Sequence, residues 1–413
     1  MLGSKNYFYK LGVYFVTLVL FLSPIIDTAR LLQYTKSWSA LWFYTTLPTL
    51  TILFSLAAWN FPKKLENIHF DQLEIILIIS VLWSLWFTAY YGGNYMDICG
   101  NIIRIFLALG CYRSTKKLTK HIDIKALHHR LAIAGFWGIL VAIIILYTFG
   151  VYGSRPVYLG LSTAGLFPSM AIALSGYSIY HTFLSFGIAV LVILGGKRGS
   201  MLAMVVMILV SLLLSKKRGF TKVEFFLYIL IITIIVVGIT INLINGFEYG
   251  INSFLPDMIV NRFQVFINYF SSGNLDINLA LSERHLDILD SWRAWQNDKM
   301  ALFSGFGLGA VIESSAGVSR STIHISPIAL AYIFGMPLAI ILIVKVVNIP
   351  IKNIVKFKRN KLDIERLQWC LTSIGLLAMS LSVFSFLQDP VLWISLGVLS
   401  GQSNSGKTVN NNF

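Results

Sequence analysis

Long apolar runs separated by short polar or basic segments make up most of this chain. The runs are roughly 17 to 22 residues long, which is the length that a helix needs to cross the hydrocarbon core of a bilayer. The pattern therefore predicts an all-α polytopic membrane protein. No small-x-small cleavage site follows the first run, Leu11–Ile26, so an uncleaved first span is expected. Spans are predicted near 11–27, 39–59, 73–92, 98–112, 131–152, 164–179, 181–195, 199–214, 223–244, 324–344, 367–387 and 390–402.

The basic segments between the runs determine how the chain is threaded through the membrane. Lys and Arg concentrate in cytoplasmic connections, so the basic loops 113–130, 216–222 and 345–366 are placed on one side. This is possible only if 164–195 makes two short passes instead of one long helix. The polar sequence Ser175-Gly176-Tyr177-Ser178 supplies the turn between the two passes. About twelve spans result from this threading.

Composition and charge fit this topology. The 413 residues are 56% hydrophobic and 12% charged, which excludes a soluble domain, and the net charge is +15. In a soluble protein that charge would indicate nucleic-acid binding, but here most Lys and Arg residues lie in the loops that are predicted to be cytoplasmic. Cys99, Cys111 and Cys370 are odd in number and lie in or beside apolar spans, so neither disulfides nor a Cys metal site is indicated. No metal or cofactor is predicted.

The chain divides into one membrane domain with a single larger segment outside the bilayer. Residues 1–244 contain nine predicted spans, 245–323 form the outer segment, and 324–413 contain three further spans and a cytoplasmic tail. The outer segment is expected to form a small cap over the bundle. Within it, 282–303 predicts one amphipathic helix, and 304–309 predicts a glycine-rich turn that lets the backbone approach a neighbour closely. The apolar stripe of that helix comprises Leu286, Leu289, Trp292, Trp295 or Gln296, Lys299 and Phe303.

Two adjacent cations, Lys197 and Arg198, lie between two apolar runs. An Arg near the hydrocarbon region costs several kcal/mol unless it is paired or hydrated, so such a residue is a candidate for a functional site. The threading places both cations on the outer face, and an alternative role for Lys197 is to anchor the turn at the interface. Deeper in the membrane, Arg104 requires a partner such as Asp97, or contact with a cavity.

Two interpretations stay open for the arginines of the outer helix. Arg284 and Arg293 can each form a surface ion pair with an acidic residue three positions away. Alternatively, one of them points into a cavity under the cap, where a planar guanidinium can bind phosphate oxygens and stays charged. Trp292 and Trp295 can likewise stack on sugar rings or simply pack the cap.

The tenth predicted span begins with His324. This residue is either a polar cap at a helix end or a base that accepts a proton from an attacking hydroxyl. Gly335 and Pro337 lie further along the same span, where they are expected to bend the helix or thin its packing face.

The order of these motifs resembles the bacterial O-antigen polymerase (Wzy) and O-antigen ligase superfamily. The resemblance covers the hydropathy profile over nearly the whole chain, and its specific residues are Gly196–Ser200, Arg284–Gly309 and His324–Gly335. It implies a GT-C-like fold. It also implies metal-independent, inverting glycosyl transfer at the periplasmic face, from an undecaprenyl-pyrophosphate-linked glycan to a sugar hydroxyl.

The resemblance implies a role for each candidate residue. Arg198 and Arg284 would hold the pyrophosphate leaving group, and His324 would orient or deprotonate the acceptor. The expected location is the bacterial inner membrane, and the expected partners are lipid-linked repeats and a regulator of polysaccharide chain length. The residues expected to contact the substrate are Lys197, Arg293, Trp292, Trp295 and Arg104.

Three alternatives remain open. Ligases tend to have a polar residue after the histidine and a second glycine one turn after the first; the presence of Ile325 and Leu338 at these positions favours a polymerase. A different alignment of the motif makes His285 the functional histidine. A flippase for lipid-linked oligosaccharides also has about twelve spans, but the unequal halves and the single long outer segment argue against it.

Overall fold

The computed structural model of the protein is a bundle of α-helices with one very short β pair. It describes residues 2–31, 36–59, 70–149, 162–176, 178–194, 198–214, 284–313, 319–320, 323, 325–359, 363–381 and 387–401. The helices are α1 (Leu2–Leu31), α2 (Lys36–Trp59), α3 (Gln72–Tyr91), α4 (Tyr95–Leu118), α5 (Ile124–Phe149), α6 (Phe167–Ser175), α7 (Ile179–Leu194), α8 (Arg198–Leu213), α9 (Arg284–Asn297), α10 (Lys299–Ser304), α11 (Ser326–Phe334), α12 (Met336–Lys358), α13 (Ile364–Ser380) and α14 (Pro390–Ser400). The antiparallel pair consists of β1 (Ile312–Glu313) and β2 (Ser319–Arg320).

Five of the described helices are long and apolar enough to cross a bilayer. The protein is therefore an α-helical, multi-pass membrane protein. The predicted span 223–244 lies outside the described residues. The five helical stretches that can cross the bilayer are Tyr7–Ala29, Gln72–Tyr91, Tyr95–Leu118, Ile124–Leu146 and Met336–Lys358.

Several helix termini meet at one end of the bundle. The Lys117 ammonium donates a hydrogen bond to the Ala58 carbonyl at 3.1 Å, which joins the end of α4 to the end of α2. The Arg366 guanidinium donates to the Gly401 carbonyl at 3.0 Å, which joins the start of α13 to the end of α14. Because many Lys and Arg residues gather here, we call it the basic end, and we call the other end of the bundle the opposite end. The basic residues at this end include Lys116, Lys117, Lys120, Lys125, Lys356, Lys358 and Arg359.

The predicted break within 164–195 is confirmed. Helix α6 ends at Ser175, and α7 begins at Ile179 after a turn in which the Ser178 hydroxyl lies 2.8 Å from Nδ1 of His181. Helix α6 has only 9 residues, or about 14 Å at 1.5 Å per residue. It therefore covers about half of a bilayer core, and a 3-10 turn over Ala164–Leu166 precedes it.

The predicted bend in the tenth span is also confirmed, and it is a complete break. Helix α11 ends at Phe334, and Gly335 has φ of +84°, a backbone conformation that residues with a Cβ rarely adopt. Pro337 lies in the first turn of α12, where its missing N–H costs nothing. The carbonyls at the end of α11 are therefore available to other parts of the chain.

Candidate functional site

The glycine-rich segment 304–309 occupies the break between α11 and α12. The Phe306 N–H donates to the Tyr332 carbonyl at 2.7 Å, and the Gly307 N–H donates to the Ile333 carbonyl at 3.1 Å. Both acceptors lie in the last turn of α11, where carbonyls have no partner within their own helix. The segment thus satisfies the backbone groups that the break leaves open.

Only glycine fits at two positions of this segment. Gly305 has φ of +73°, and a Cβ there would lie 2.3 Å from the Ile333 carbonyl oxygen. Gly307 has φ of +88°, and a Cβ there would lie 2.4 Å from Oγ1 of Thr88. To admit a methyl group at Gly305, the backbone around Ile333 and Gly335 would have to move; at Gly307, both the side chain and the backbone of Thr88 would have to move. The close backbone approach that the sequence predicts is confirmed.

The segment runs along α3 from the level of Trp83 to the turn between α3 and α4, where the Gly309 carbonyl accepts a hydrogen bond from the Asn94 N–H at 3.1 Å. The Trp83 indole N–H donates to the Ser304 carbonyl at 2.9 Å, and the Leu308 N–H donates to the Thr88 hydroxyl at 2.8 Å. Trp83 is about 12 Å along the helix axis from Tyr91, the last residue of α3, at 1.5 Å per residue. This part of the outer segment is therefore inserted between spanning helices and lies deeper than a cap over the bundle.

Arg104 is linked to this segment through one side-chain amide. Its Nη1 donates to Oδ1 of Asn101 at 3.0 Å, and Nδ2 of Asn101 donates to the Leu308 carbonyl at 2.6 Å. Asp97, two turns away on the same side of α4, is close enough to interact electrostatically with Arg104. Asp97 thus adds to the electrostatic field at Arg104, and Asn101 is a hydrogen-bond partner that the sequence did not indicate.

The predicted helix 282–303 forms as two helices. Helix α9 ends at Asn297, and the Asp298 carboxylate caps α10 by accepting hydrogen bonds from the Met300 and Ala301 N–H groups. An aspartate in this position is a strong start signal for a helix, and it separates α10 from α9.

Helix α9 buries its acidic side and exposes its apolar side. Asp287, Asp290 and Ser291 are buried, whereas Leu289 and Trp292 are exposed. Leu289 and Trp292 of the predicted apolar stripe therefore face away from the bundle. Trp295 is the exception, because it is buried against the Tyr332 ring at 6.2 Å between centroids.

The remaining candidate residues are distributed as follows along the chain. Arg198 is the first residue of α8, Arg284 is the first residue of α9, and His285 follows it. Lys197 and His324 lie outside the described residues. Helix α8 starts at the opposite end, since the Ser200 hydroxyl lies 3.7 Å from the Met379 sulfur near the end of α13.

Arg293 forms the surface pair that the sequence allowed. Its side chain is 61% exposed, and Nη1 lies 3.7 Å from Oδ1 of Asp290. The Asp290 carboxylate is buried, but the arginine is mostly in contact with solvent and the 3.7 Å distance is long, so the pair contributes little, about 0–1 kcal/mol. Trp292 on the same helix is 52% exposed. Neither side chain contacts the glycine-rich segment in any interaction that the structure describes.

A second arginine of α4, Arg113, has a carboxylate partner that the sequence did not reveal. Helix α4 continues to Leu118, so Arg113 belongs to a helix and not to a loop. Its Nη1 lies 2.8 Å from Oε2 of Glu74, and the two side chains are 2% and 3% exposed. The guanidinium carbon also lies 4.8 Å and 4.7 Å from the ring centres of Trp59 and Phe70. The acidic Glu74 near the start of an apolar run was the available signal.

Asp71 continues this charged cluster at the basic end. Its carboxylate caps α3 by accepting from the Glu74 N–H at 2.9 Å, and it also accepts from the Tyr112 hydroxyl at 2.6 Å and from the Lys116 ammonium. Burial raises the pKa of this carboxyl, but hydrogen bonds from Lys116, Tyr112 and the Glu74 N–H outweigh burial, so the pKa lies below its ordinary value.

The opposite half of the bundle has features that suit an anion. Arg104 and Asn101 lie there beside an inserted backbone segment, and α8 begins there at Arg198. Helix starts present backbone N–H groups and the positive end of the helix dipole, which favours bound anions. Within the described ranges, no group of three or more His, Cys, Asp or Glu side chains is arranged to hold a metal ion.

Comparison with known proteins gives no family assignment. No protein-family model matches the sequence, and no curated protein is significantly similar to it.

Proposed function

We propose that the protein is a membrane glycosyltransferase that polymerises lipid-linked glycan repeats. It transfers an undecaprenyl-pyrophosphate-linked glycan onto a sugar hydroxyl of another lipid-linked repeat, by an inverting, metal-independent reaction. The motif order that resembles the O-antigen polymerase and ligase superfamily is the starting point for this proposal.

One structural observation supports the proposal most directly. Helices α8 and α9 each begin at an arginine, Arg198 and Arg284, and α8 begins at the end of the bundle away from the basic end. An arginine at a helix start combines its own charge with the positive end of the helix dipole. Two such positions suit a dianionic leaving group such as a pyrophosphate, which the planar guanidinium can bind through two oxygens.

The chemistry assigned to these residues follows from where charge develops. The pyrophosphate gains negative charge as the glycosidic bond breaks, so fixed cations stabilise the transition state more than the ground state. His324 accepts the proton of the attacking sugar hydroxyl as the new bond forms. Arg104, two of the described tryptophans (Trp292 and Trp295), Arg293 and Lys197 are proposed substrate contacts.

The proposed orientation follows from the charge distribution. The positive-inside rule puts the basic end in the cytoplasm, so the start of α8 faces the periplasm of a bacterial inner membrane, and Arg284 is proposed to face the same side. A regulator of chain length is the proposed protein partner.

Deletion of the gene separates this function from its alternatives. We expect lipopolysaccharide with a single repeat on the core, because ligation continues while chain growth stops. Bare core with accumulated lipid-linked polymer would instead identify a ligase. Lipid-linked repeats retained on the cytoplasmic side would identify a flippase.

Substitutions then test the residue roles. Arg198→Ala and Arg284→Ala should each abolish chain growth at unchanged protein level in the membrane, and Arg104→Gln should shorten the polymer. Arg359→Ala is the matched control, because Arg359 is exposed at the basic end and follows α12. Polymer of parental length in both the Arg198 and Arg284 variants would refute the assigned roles.

A further inference from the structure

Large apolar side chains of α9 and α10 are exposed, together with the polar Arg293, Gln296, Asn297 and Lys299, while the two acidic residues of α9, Asp287 and Asp290, are buried. Phe303 is 64% exposed, and Ile288, Leu289, Trp292 and Met300 are exposed as well. A helix that borders water normally has the opposite arrangement, with polar residues outside and apolar residues inside. Exposed apolar residues that form one continuous surface indicate contact with another apolar phase or partner.

The depth of α10 shows which phase is available to it. Its last residue, Ser304, accepts a hydrogen bond from Trp83, which lies about 12 Å below the end of α3 at 1.5 Å per residue. Phe303 is the residue before Ser304, so its exposed ring lies at a depth where the spanning helices meet lipid. Water-facing aromatic side chains are not expected at this level.

The neighbouring spanning helices continue the same surface. Trp86, Tyr90, Tyr95 and Met96, on the last turns of α3 and the first turn of α4, are all exposed. Aromatic residues concentrate at the boundary between hydrocarbon and headgroups, where their rings bridge the two environments. The exposed side of α9 and α10 therefore adjoins a lipid-facing belt.

Charges on α9 and α10 also suit a lipid surface. Arg293 and Lys299 are exposed beside the apolar side. Helices that lie in the membrane interface combine a buried apolar side with Lys or Arg at the border, where these residues contact anionic headgroups. The acidic residues Asp287 and Asp290 are turned into the protein, away from such headgroups.

We propose that α9 and α10 form a re-entrant membrane element that is embedded in the lipid leaflet at the opposite end. Helix α9 lies at the headgroup boundary with Ile288 and Leu289 towards the acyl chains, while Trp292 and Arg293 stay at the headgroup level, which a lipid-linked substrate also reaches. Helix α10 descends into the hydrocarbon and delivers the glycine-rich segment to the break between α11 and α12. The occupant of the exposed side is phospholipid, and this inference does not depend on the proposed reaction.

Site-directed spin labelling of the full-length protein tests the proposal. Cys99 is exposed and is first replaced by serine, whereas Cys111 and Cys370 are buried and need no replacement. Labels are attached to Ile288→Cys and Phe303→Cys in vesicles of phosphatidylethanolamine and phosphatidylglycerol. Leu82→Cys on the exposed side of α3 is the lipid reference, and Lys120→Cys at the basic end is the water reference.

Collisions of each label with oxygen, which partitions into lipid, and with a water-soluble nickel chelate give the result. We expect labels at Ile288 and Phe303 to collide more often with oxygen, relative to the nickel chelate, than a label at Lys120 does. The ratio of the two collision rates should approach the Leu82 value, and it should come closer to that value at Phe303. A ratio equal to that of Lys120 at both positions would place these helices in water and overturn the proposal. Protection from both reagents would mean that protein covers this side, and it would also overturn the proposal.

A folding control keeps the test interpretable. Each labelled variant must elute from a sizing column like the parent. If Ile288→Cys or Phe303→Cys does not, Leu289→Cys and Met300→Cys replace them, because these positions are exposed on the same side.

Discussion

Arg104 and Arg113 lie on the same helix, α4, yet they have different partners. Arg113 is enclosed by the Glu74 carboxylate and the rings of Trp59 and Phe70. Arg104 is half-buried, and the described hydrogen bond of its guanidinium goes to a neutral amide on its own helix. That amide in turn holds a carbonyl of the glycine-rich segment.

The difference shows what each arginine contributes. The Arg113 charge is matched by a carboxylate, and its faces are covered by aromatic rings. A buried arginine of this kind connects helices, and here it connects α2, α3 and α4 at the basic end. Arg104 connects a spanning helix to an inserted loop. The first arrangement serves stability, and the second couples α4 to the segment nearest the candidate site.

Removal of the Glu74 carboxylate should have the largest effect. Glu74→Ala leaves the buried Arg113 guanidinium without its carboxylate, which costs about 3–5 kcal/mol of unfolding free energy. Unfolding by SDS in mixed micelles measures this loss. The double variant Glu74→Leu/Arg113→Met should recover most of it, because well-packed apolar residues can replace a buried ion pair. Equal stability of Glu74→Ala and the parent would show that Arg113 does not need this pair.

Substitution at Gly305 should cause the second-largest loss of unfolding free energy. Gly305→Ala combines a positive φ with a steric clash against α11, for a combined cost of about 2–4 kcal/mol. The same unfolding assay measures this cost, and polymer length reports on function. Gly187→Ala is the control, because a Cβ there meets nothing within 4 Å. Equal unfolding stability and equal polymer length in Gly305→Ala and Gly187→Ala would show that the glycine-rich segment does not occupy the break between α11 and α12.

Loss of the Asn101 amide should have an intermediate effect. Asn101→Ala leaves the Leu308 carbonyl without this donor and should cost about 1–3 kcal/mol. Hydrogen exchange of the amides of 305–309 should accelerate, while exchange in the rest of α4 stays unchanged. Ser114→Ala provides the comparison, since that hydroxyl bonds only to carbonyls of its own helix. Unchanged hydrogen exchange in 305–309 would show that the Asn101 amide does not link Arg104 to the glycine-rich segment.

Asp71→Asn should have the smallest effect. Asparagine keeps the helix cap but loses the charge that faces Lys116, so the change at neutral pH should stay within about 1 kcal/mol. The folded-state pKa of Asp71 is lowered, so its contribution is present above the unfolded pKa and is lost as the pH falls through the folded pKa. Stability of the parent should therefore fall more below about pH 4 than stability of the variant. Parallel profiles of stability against pH for the parent and Asp71→Asn would show that the Asp71 carboxylate does not stabilise the folded state in this way.

Local signals in the sequence predicted the irregular parts of the fold well. The polar turn after Ser175, the break at Gly335 and the close approach at Gly305 all appear in the structure. Each depends on the backbone preferences of glycine, proline or short polar residues, and those preferences act within a few positions. The pairing of Arg113 with Glu74 was not predicted, because the two residues come together only when α3 packs against α4.

The orientation of α9 shows the limit of pattern reasoning. An apolar stripe at helical spacing predicts which residues share a side, and Leu289 and Trp292 do share one. The pattern does not state whether that side meets protein or lipid, since both are apolar. The insertion of 304–309 between spanning helices places α10 at lipid depth, and this decides the orientation.

By itself, the sequence determined that the protein is an α-helical membrane protein, that helices break near Ser175 and at Gly335, and which residues carry charge near the membrane. Those properties follow from hydropathy over short windows and from local backbone preferences. The tertiary structure decided that Arg113 is paired and buried, that Arg104 is linked to the glycine-rich segment, and that α9 turns its acidic side inward. These contacts join residues far apart in the chain, so only the packing of the helices can select them.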